Sequence, residues 1–280
     1  VSMKVAEFFN DGQRKESKDV KVLDPRYPVG IVIHGRNDSE DSGKIEELTK
    51  ALTEFAAHEA KGMQIVTVDW SEAAKNFNSI NPNAWDISNS DWVQAAGEWL
   101  GRRLLELGFS PDQISGWFHS HANGFGFHMA NFLKQKTGQK INLFMALDPA
   151  KNPGLAGGSA AYDKLDIGSV STNSVAFDSS WLGSSHFSGT ANRSFLLQTE
   201  TNDVDPTNGV IDKYVFRNED VLKHGAGLET VASMIRSLIH GNATPFDPAD
   251  LRKILSGTGD IGVRANTLAG DEQPLGSKVY

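Results

Sequence analysis

Ile114-Ser115-Gly116-Trp117-Phe118-His119-Ser120-His121-Ala122 is the stretch from which the rest of the chain can be read. Ile114 to His119 has the short apolar character of a buried strand, and Ala122 to Lys136 reads as a helix, so Ser120 falls at a tight strand-to-helix turn. Working upstream, Val29 to Ile33 is a β-branched run ending in His34-Gly35, and Gln64 to Val68 is another, running into Asp69-Trp70. Between them Ile45, Leu48, Leu52, Phe55 and Ala56 recur at helical spacing and stop at Gly62. Trp92, Ala95, Ala96, Trp99, Leu100 and Leu104 form a second helical stripe before Gly108. Downstream, Ile141 to Leu147 is a strand ending in Asp148-Pro149, Ser194 to Thr199 a late strand, Tyr214 to Arg217 a short one, and Leu228 to Ile239 a final amphipathic helix. Strands alternating with helices predict an α/β domain with a mostly parallel central sheet flanked by helices.

Composition narrows the class. At 280 residues the chain can bury one substantial core, so a single domain is expected over 1–280. A net charge of −8 speaks against nucleic acid as a partner, because phosphate backbones demand clustered Lys and Arg. No apolar run reaches the roughly 18 residues of a membrane span, and the N-terminus lacks the pattern of a signal peptide, so a soluble chain with no integral membrane segment is expected. The absence of cysteine excludes disulfides and thiolate chemistry, but it leaves the compartment open and is compatible with a secreted bacterial protein. A chain beginning at Val1 fits a processed or excised piece of a longer one.

In open α/β sheets the chemistry gathers outside the carboxyl ends of the strands. The residues there are His34-Gly35-Arg36, Asp69-Trp70, Ser120, Asp148 and, in a loop before the last helix, His224. Serine, later carboxylate and later histidine follow the chain order of a nucleophile-elbow triad. Four pieces in sequence, Ile31-Val32-Ile33-His34-Gly35, Val68-Asp69-Trp70-Ser71, Ile114 to His121 and Leu147-Asp148-Pro149-Ala150, resemble the pancreatic-lipase-like branch of the α/β-hydrolases. The resemblance covers Val29 to Ala150; beyond it the similarity is one of order and kind. It implies an α/β-hydrolase fold and a lipase- or esterase-like serine hydrolase. Ser120 would be the nucleophile, His224 the base, Asp148 the acid, and the backbone N–H groups of Arg36 and His121 the oxyanion hole.

The pattern departs from the family at the elbow itself. Where Gly-x-Ser-x-Gly is expected, Phe118 and Ala122 flank the serine, and small residues are wanted there because strand and helix pack closely around a strained backbone. Either neighbouring elements have receded or the elbow is distorted. Among the eight histidines, His58 and His128 fall in helices and His240 at a helix C-terminus; His34 more naturally orders the oxyanion loop, and His186 is the reserve base. The common α/β-hydrolase carries its acid one strand later than the pancreatic type, which makes Glu200 and Asp203 the alternatives to Asp148.

No cofactor is expected. Asp203, Asp205, Asn208 and Asp212 are rich enough in oxygen for Ca²⁺, yet their spacing does not fit an EF-hand loop, and an Asx-rich turn is the default. From Gly154 to Asn192 the composition turns to Gly, Ser, Ala and Thr, so residues 151–190 read as a loop or cap, and residues 241–280 as a weakly structured extension with one helical piece near Leu251 to Leu255. The first of these carries Leu155, Leu165, Phe177, Trp181, Leu182 and Phe187; Trp181 and Leu182 would line an acyl chain of a small-molecule or lipid ester. Two other classes compete. The His119-x-His121 pair resembles the zinc strand of JAMM-type metalloproteases, although the proline and the Ser-x-x-Asp of that family are missing. A hydrolase fold kept as a non-catalytic binding module, with Phe118 marking the lost elbow, is the other.

Overall fold

The computed structural model describes residues 1–10, 13–17, 19–35, 39, 41–59, 62–71, 90–149, 165–179, 189–197, 224–242, 248–256 and 273–275. One nine-stranded sheet organises them. In chain order its strands are β1 (Ser2–Asn10), β2 (Gln13–Ser17), β3 (Val29–Ile33), β4 (Gln64–Asp69), β5 (Ile114–His119), β6 (Ile141–Leu147), β7 (Ser171–Asp178), β8 (Arg193–Leu197) and β9 (Gln273–Leu275). Their spatial order is β2-β1-β4-β3-β5-β6-β7-β8-β9. All pairings from β4 to β9 are parallel, whereas the β1–β2 hairpin lies antiparallel against β4 at one edge. This mostly parallel sheet flanked by helices is the α/β-hydrolase architecture expected from the sequence.

Parallel strands covered on both faces need apolar residues of both parities, and β3 and β5 are buried at every position. The pleat sends alternate side chains into two separate cores. Ile31, Ile33 and Phe118 join α2 (Ser90–Glu106) and α3 (Ala122–Thr137) on one face. Val32 and Trp117 join α1 (Gly43–His58), α5 (Ala226–Ile239) and α6 (Pro248–Ser256) on the other. The buried stripe of α1, including Ile45, Leu48, Leu52, Phe55 and Ala56, is the one its spacing predicts. Crossing from β5 over α3 to β6 lays the carboxyl ends of the parallel strands along one edge, which is where the site must form.

Residues 151–190 need correcting, because they are not all loop or cap. After the short helix α4 (Ile167–Val170), β7 fills a position in the middle of the sheet, with Phe177 in the core on one face and Leu165 packed against the core on the other. Its polar composition conceals a buried strand whose side chains are satisfied internally. Ser171 Oγ donates to Ile167 O at 2.7 Å, and Asn192 Oδ1 accepts from both Ser174 N and Ser174 Oγ. Residues 241–280 likewise contain α6 and the last strand of the sheet, β9, which pairs with β8 and includes Pro274. The hairpin β1–β2 has no counterpart in the sequence reading. Tyr214 to Arg217, Leu155 and Phe187 lie outside the described residues.

Candidate active site

The turn after β5 holds a residue in a sparsely populated backbone conformation. Ser120 has φ +56, a left-handed conformation uncommon outside glycine, and its N–H donates to Leu147 O at 3.0 Å, tying the turn to the end of β6. The residue after Leu147 is Asp148, which also has positive φ, +43. Two adjacent strands thus end in left-handed residues, and both side chains are polar and buried.

Phe118 is housed without distortion of this turn. A Cβ on Gly126 would lie 2.7 Å from its ring and one on Gly116 2.1 Å, so the ring occupies the space that these two glycines leave on α3 and β5. Phe144 completes the nest, with ring centroids 4.5 Å apart. The missing elbow glycine is therefore compensated one helical turn on, and Ala122, fully buried, adds no bulk.

Asp148 is fully buried, and each of its oxygens has a donor. Ser179 N donates to Oδ1 at 2.7 Å, and His224 Nδ1 donates to Oδ2 across a sequence separation of 76 residues. Because a carboxylate accepts, His224 donates from Nδ1 in this bond. His224 ends the chain's approach to α5, whose first turn packs against Leu147 and Asp148. His119, one residue before Ser120, donates from Nε2 to the His224 carbonyl at 2.9 Å.

His34 stands directly after β3. It is buried, its Nδ1 donates to Gly35 O at 2.8 Å, and its Nε2 accepts from Trp70 N at 3.2 Å, while Trp70 Nε1 donates to His34 O at 2.7 Å. Both ring nitrogens are used to fix the start of the loop. Gly35 must be a glycine there, since a Cβ would come within 3.0 Å of Ser120 Cβ and 2.9 Å of His119 Nδ1. Asp69, beside this network, accepts from Ser71 N at 2.8 Å. Burial pushes its carboxyl up, but hydrogen bonds from the Ser71 backbone N–H and side chain outweigh that and hold it below the ordinary value. His121 is the N-cap of α3 and is buried. Arg36, expected from the sequence at the oxyanion hole with His121, lies outside the described residues, as do Trp181, Leu182, His186, Glu200 and the Asp203–Asp212 cluster.

Several solved structures resemble the chain, at low similarity. A cold-adapted esterase from an Arctic intertidal metagenomic library, bound to polyethylene glycol, is 15% identical, with 65% of this chain and 74% of that one covered and a TM-score of 0.39. A candidate carboxylesterase from Lactobacillus plantarum is 14% identical over 80% of this chain and 83% of its own, with a TM-score of 0.30. A lipase/esterase from the same species is 13% identical over 87% of each chain, with a TM-score of 0.32. No family model and no curated protein matches the chain.

Of the remaining histidines, His58 closes α1, His240 caps the C-terminus of α5 and His128 is half-buried on α3. Burial holds the His128 imidazole below its ordinary range, with Glu98 offsetting part of the effect. Among the described residues no group of three or more His, Asp and Glu side chains is placed to hold a metal, and no helix is long and apolar enough to cross a membrane. Three features escaped the sequence reading. The strand after β6 is β7, so the acid position one strand later belongs to Asp178, buried beside Asp148 in register, rather than to Glu200 or Asp203. Ser179 N–H fixes Asp148, and His119 holds His224; the one visible signal was a histidine directly before the serine.

Proposed function

We propose that the chain is a serine hydrolase of the esterase or lipase kind, cleaving a carboxylic ester through an acyl-enzyme. The observation that carries this reading is the His224–Asp148 hydrogen bond at the strand ends beside a left-handed, buried Ser120. In the proposed reaction Ser120 Oγ attacks the ester carbonyl while His224 Nε2 takes its proton. Asp148 holds Nδ1–H and steadies the imidazolium as it forms, and the N–H groups of His121 and Arg36 receive the developing oxyanion. His224 then returns the proton to the departing alcohol, and water repeats the sequence to release the acid. Trp181 and Leu182 are proposed, from the sequence, as the apolar wall for the acyl chain. The binding-module alternative draws its force from Phe118, and the room that Gly116 and Gly126 leave for that ring favours the catalytic reading. The metalloprotease alternative needs a third ligand beside His119 and His121, and among the described residues no group of three or more His, Asp and Glu side chains is placed to hold a metal.

The test is a fluorophosphonate probe together with short p-nitrophenyl esters. Ser120 is expected to be labelled, and Ser120→Ala to lower turnover by about 10³-fold or more while the fold is retained. Unlabelled protein, or activity that survives the substitution, would overturn the reading.

A further inference from the structure

We propose that His119 is the positioning residue of the base: it anchors the main chain of His224 so that the imidazole stays between Asp148 and Ser120. This rests on the hydrolase reading of the same site. A base that must meet a nucleophile within hydrogen-bond reach has to be fixed in two respects, the direction of its ring and the place of its backbone. Asp148 provides the first through Nδ1. Nothing in a carboxylate–imidazole bond fixes the second, because the ring can keep its partner while the main chain pivots about the side-chain torsions.

His119 provides it. Its Nε2 donates to the His224 carbonyl at 2.9 Å, and since a carbonyl only accepts, that nitrogen carries its proton. The two rings lie 4.8 Å apart between centroids, inclined at 42°, so the side chain both bonds the backbone of the base and packs on its ring. The strand that presents Ser120 thereby also holds the base, through the residue directly before the nucleophile. A second element closes on the same turn. Lys44 of α1 runs over Gly225, where a Cβ would lie 2.6 Å from its stem, and its ammonium reaches Glu229 on α5 at 3.2 Å. The turn His224–Gly225 is therefore held by β5 at its carbonyl and covered by α1 at its glycine. Displacements of the order of 1 Å in such a constellation cost about 10²-fold in rate.

The experiment compares three substitutions. His119→Gln places an amide N–H near the position of Nε2; His119→Leu keeps the bulk without a donor; His119→Asn carries a donor too short to reach. His119→Leu and His119→Asn are expected to lower kcat by about 10- to 100-fold with KM within about twofold, and to slow fluorophosphonate labelling of Ser120 in proportion, while His119→Gln recovers most of both. Two variants that lose the bond, one without a donor and one with a donor out of reach, guard against one failing to fold. A second readout does not use activity: the low-field NMR signal of the His224 Nδ1 proton, sharp in the parent, should broaden or vanish in the Leu and Asn variants and persist in Gln. Equal rates and unchanged proton signals across the three would overturn the proposal. If the parent itself neither labels nor turns over esters, the hydrolase reading fails, and the proton signal still decides whether His119 anchors His224.

Discussion

At the scale of the residue, a side chain's worth is set by what it leaves its neighbour able to do. Asp148 accepts one bond from a backbone N–H and one from an imidazole, so an amide in its place would turn an N–H toward Nδ1 and favour the tautomer with its proton on the wrong nitrogen. Asp148→Asn should therefore lower kcat by about 10⁴-fold, while Asp178→Asn, next to it at the end of β7, changes kcat by less than about tenfold; steady-state kinetics on a p-nitrophenyl ester measures both. The reverse ranking would move the acid one strand along. Phe118 makes a related point about space. The rule that small residues surround the nucleophile is a rule about volume, and volume can be released by Gly126 as well as by a glycine at 118. A residue-by-residue comparison with a motif cannot see that exchange, because the compensating position lies on the far side of the turn.

Elements were legible where one physical signal dominated. The runs at β3, β4, β5 and β6 are apolar enough to demand burial on both faces, and the stripe of α1 has a helical period, so the parallel core and the position of Ser120 could be read directly. β7 could not, because Ser171, Asn173 and Ser174 are polar residues of a kind that composition assigns to loops. They are tolerated inside only because partners from elsewhere in the chain saturate them. The pair Ser174–Asn192 shows the dependence: Ser174 N and Oγ both donate to Asn192 Oδ1, and Asn192 N donates back to Ser174 Oγ at 2.8 Å. Asn192→Ala removes the acceptor of Ser174 N–H and of the Ser174 hydroxyl and should cost about 1–3 kcal/mol in urea denaturation, with no accompanying change in KM. A loss under about half a kcal/mol would mean that water replaces the amide. The same blindness hides the bond between His224 and Asp148: it joins the turn before α5 to the end of β6, and no local pattern announces such a pairing.

For the molecule as a whole, acid is the lever that the charges define. His128 is held below its ordinary 6.5 by burial, so the unfolded chain takes up that proton first; the associated stability is full above 6.5 and declines as pH falls toward the folded-state value. Asp69 is held below its ordinary 3.8, so its contribution is intact above 3.8 and is lost as pH falls through its lower folded-state value. The urea midpoint should therefore fall in two stages on acidification. His128→Gln should flatten the first stage alone and Asp69→Asn the second; a single stage untouched by either would assign acid unfolding to other groups. The far side of the sheet raises a different matter. β9 is three residues long, pairs with β8 on one side, and its middle residue is Pro274, which has no N–H to offer. A strand so short and so poor in donors is a poor template for another chain, whereas β8 stripped of it would present an open ladder. Truncation after Ser256 should then turn a well-behaved protein into one that self-associates with time and concentration, as light scattering would register, so that the last strand guards the colloidal behaviour of a sheet whose chemistry it never touches.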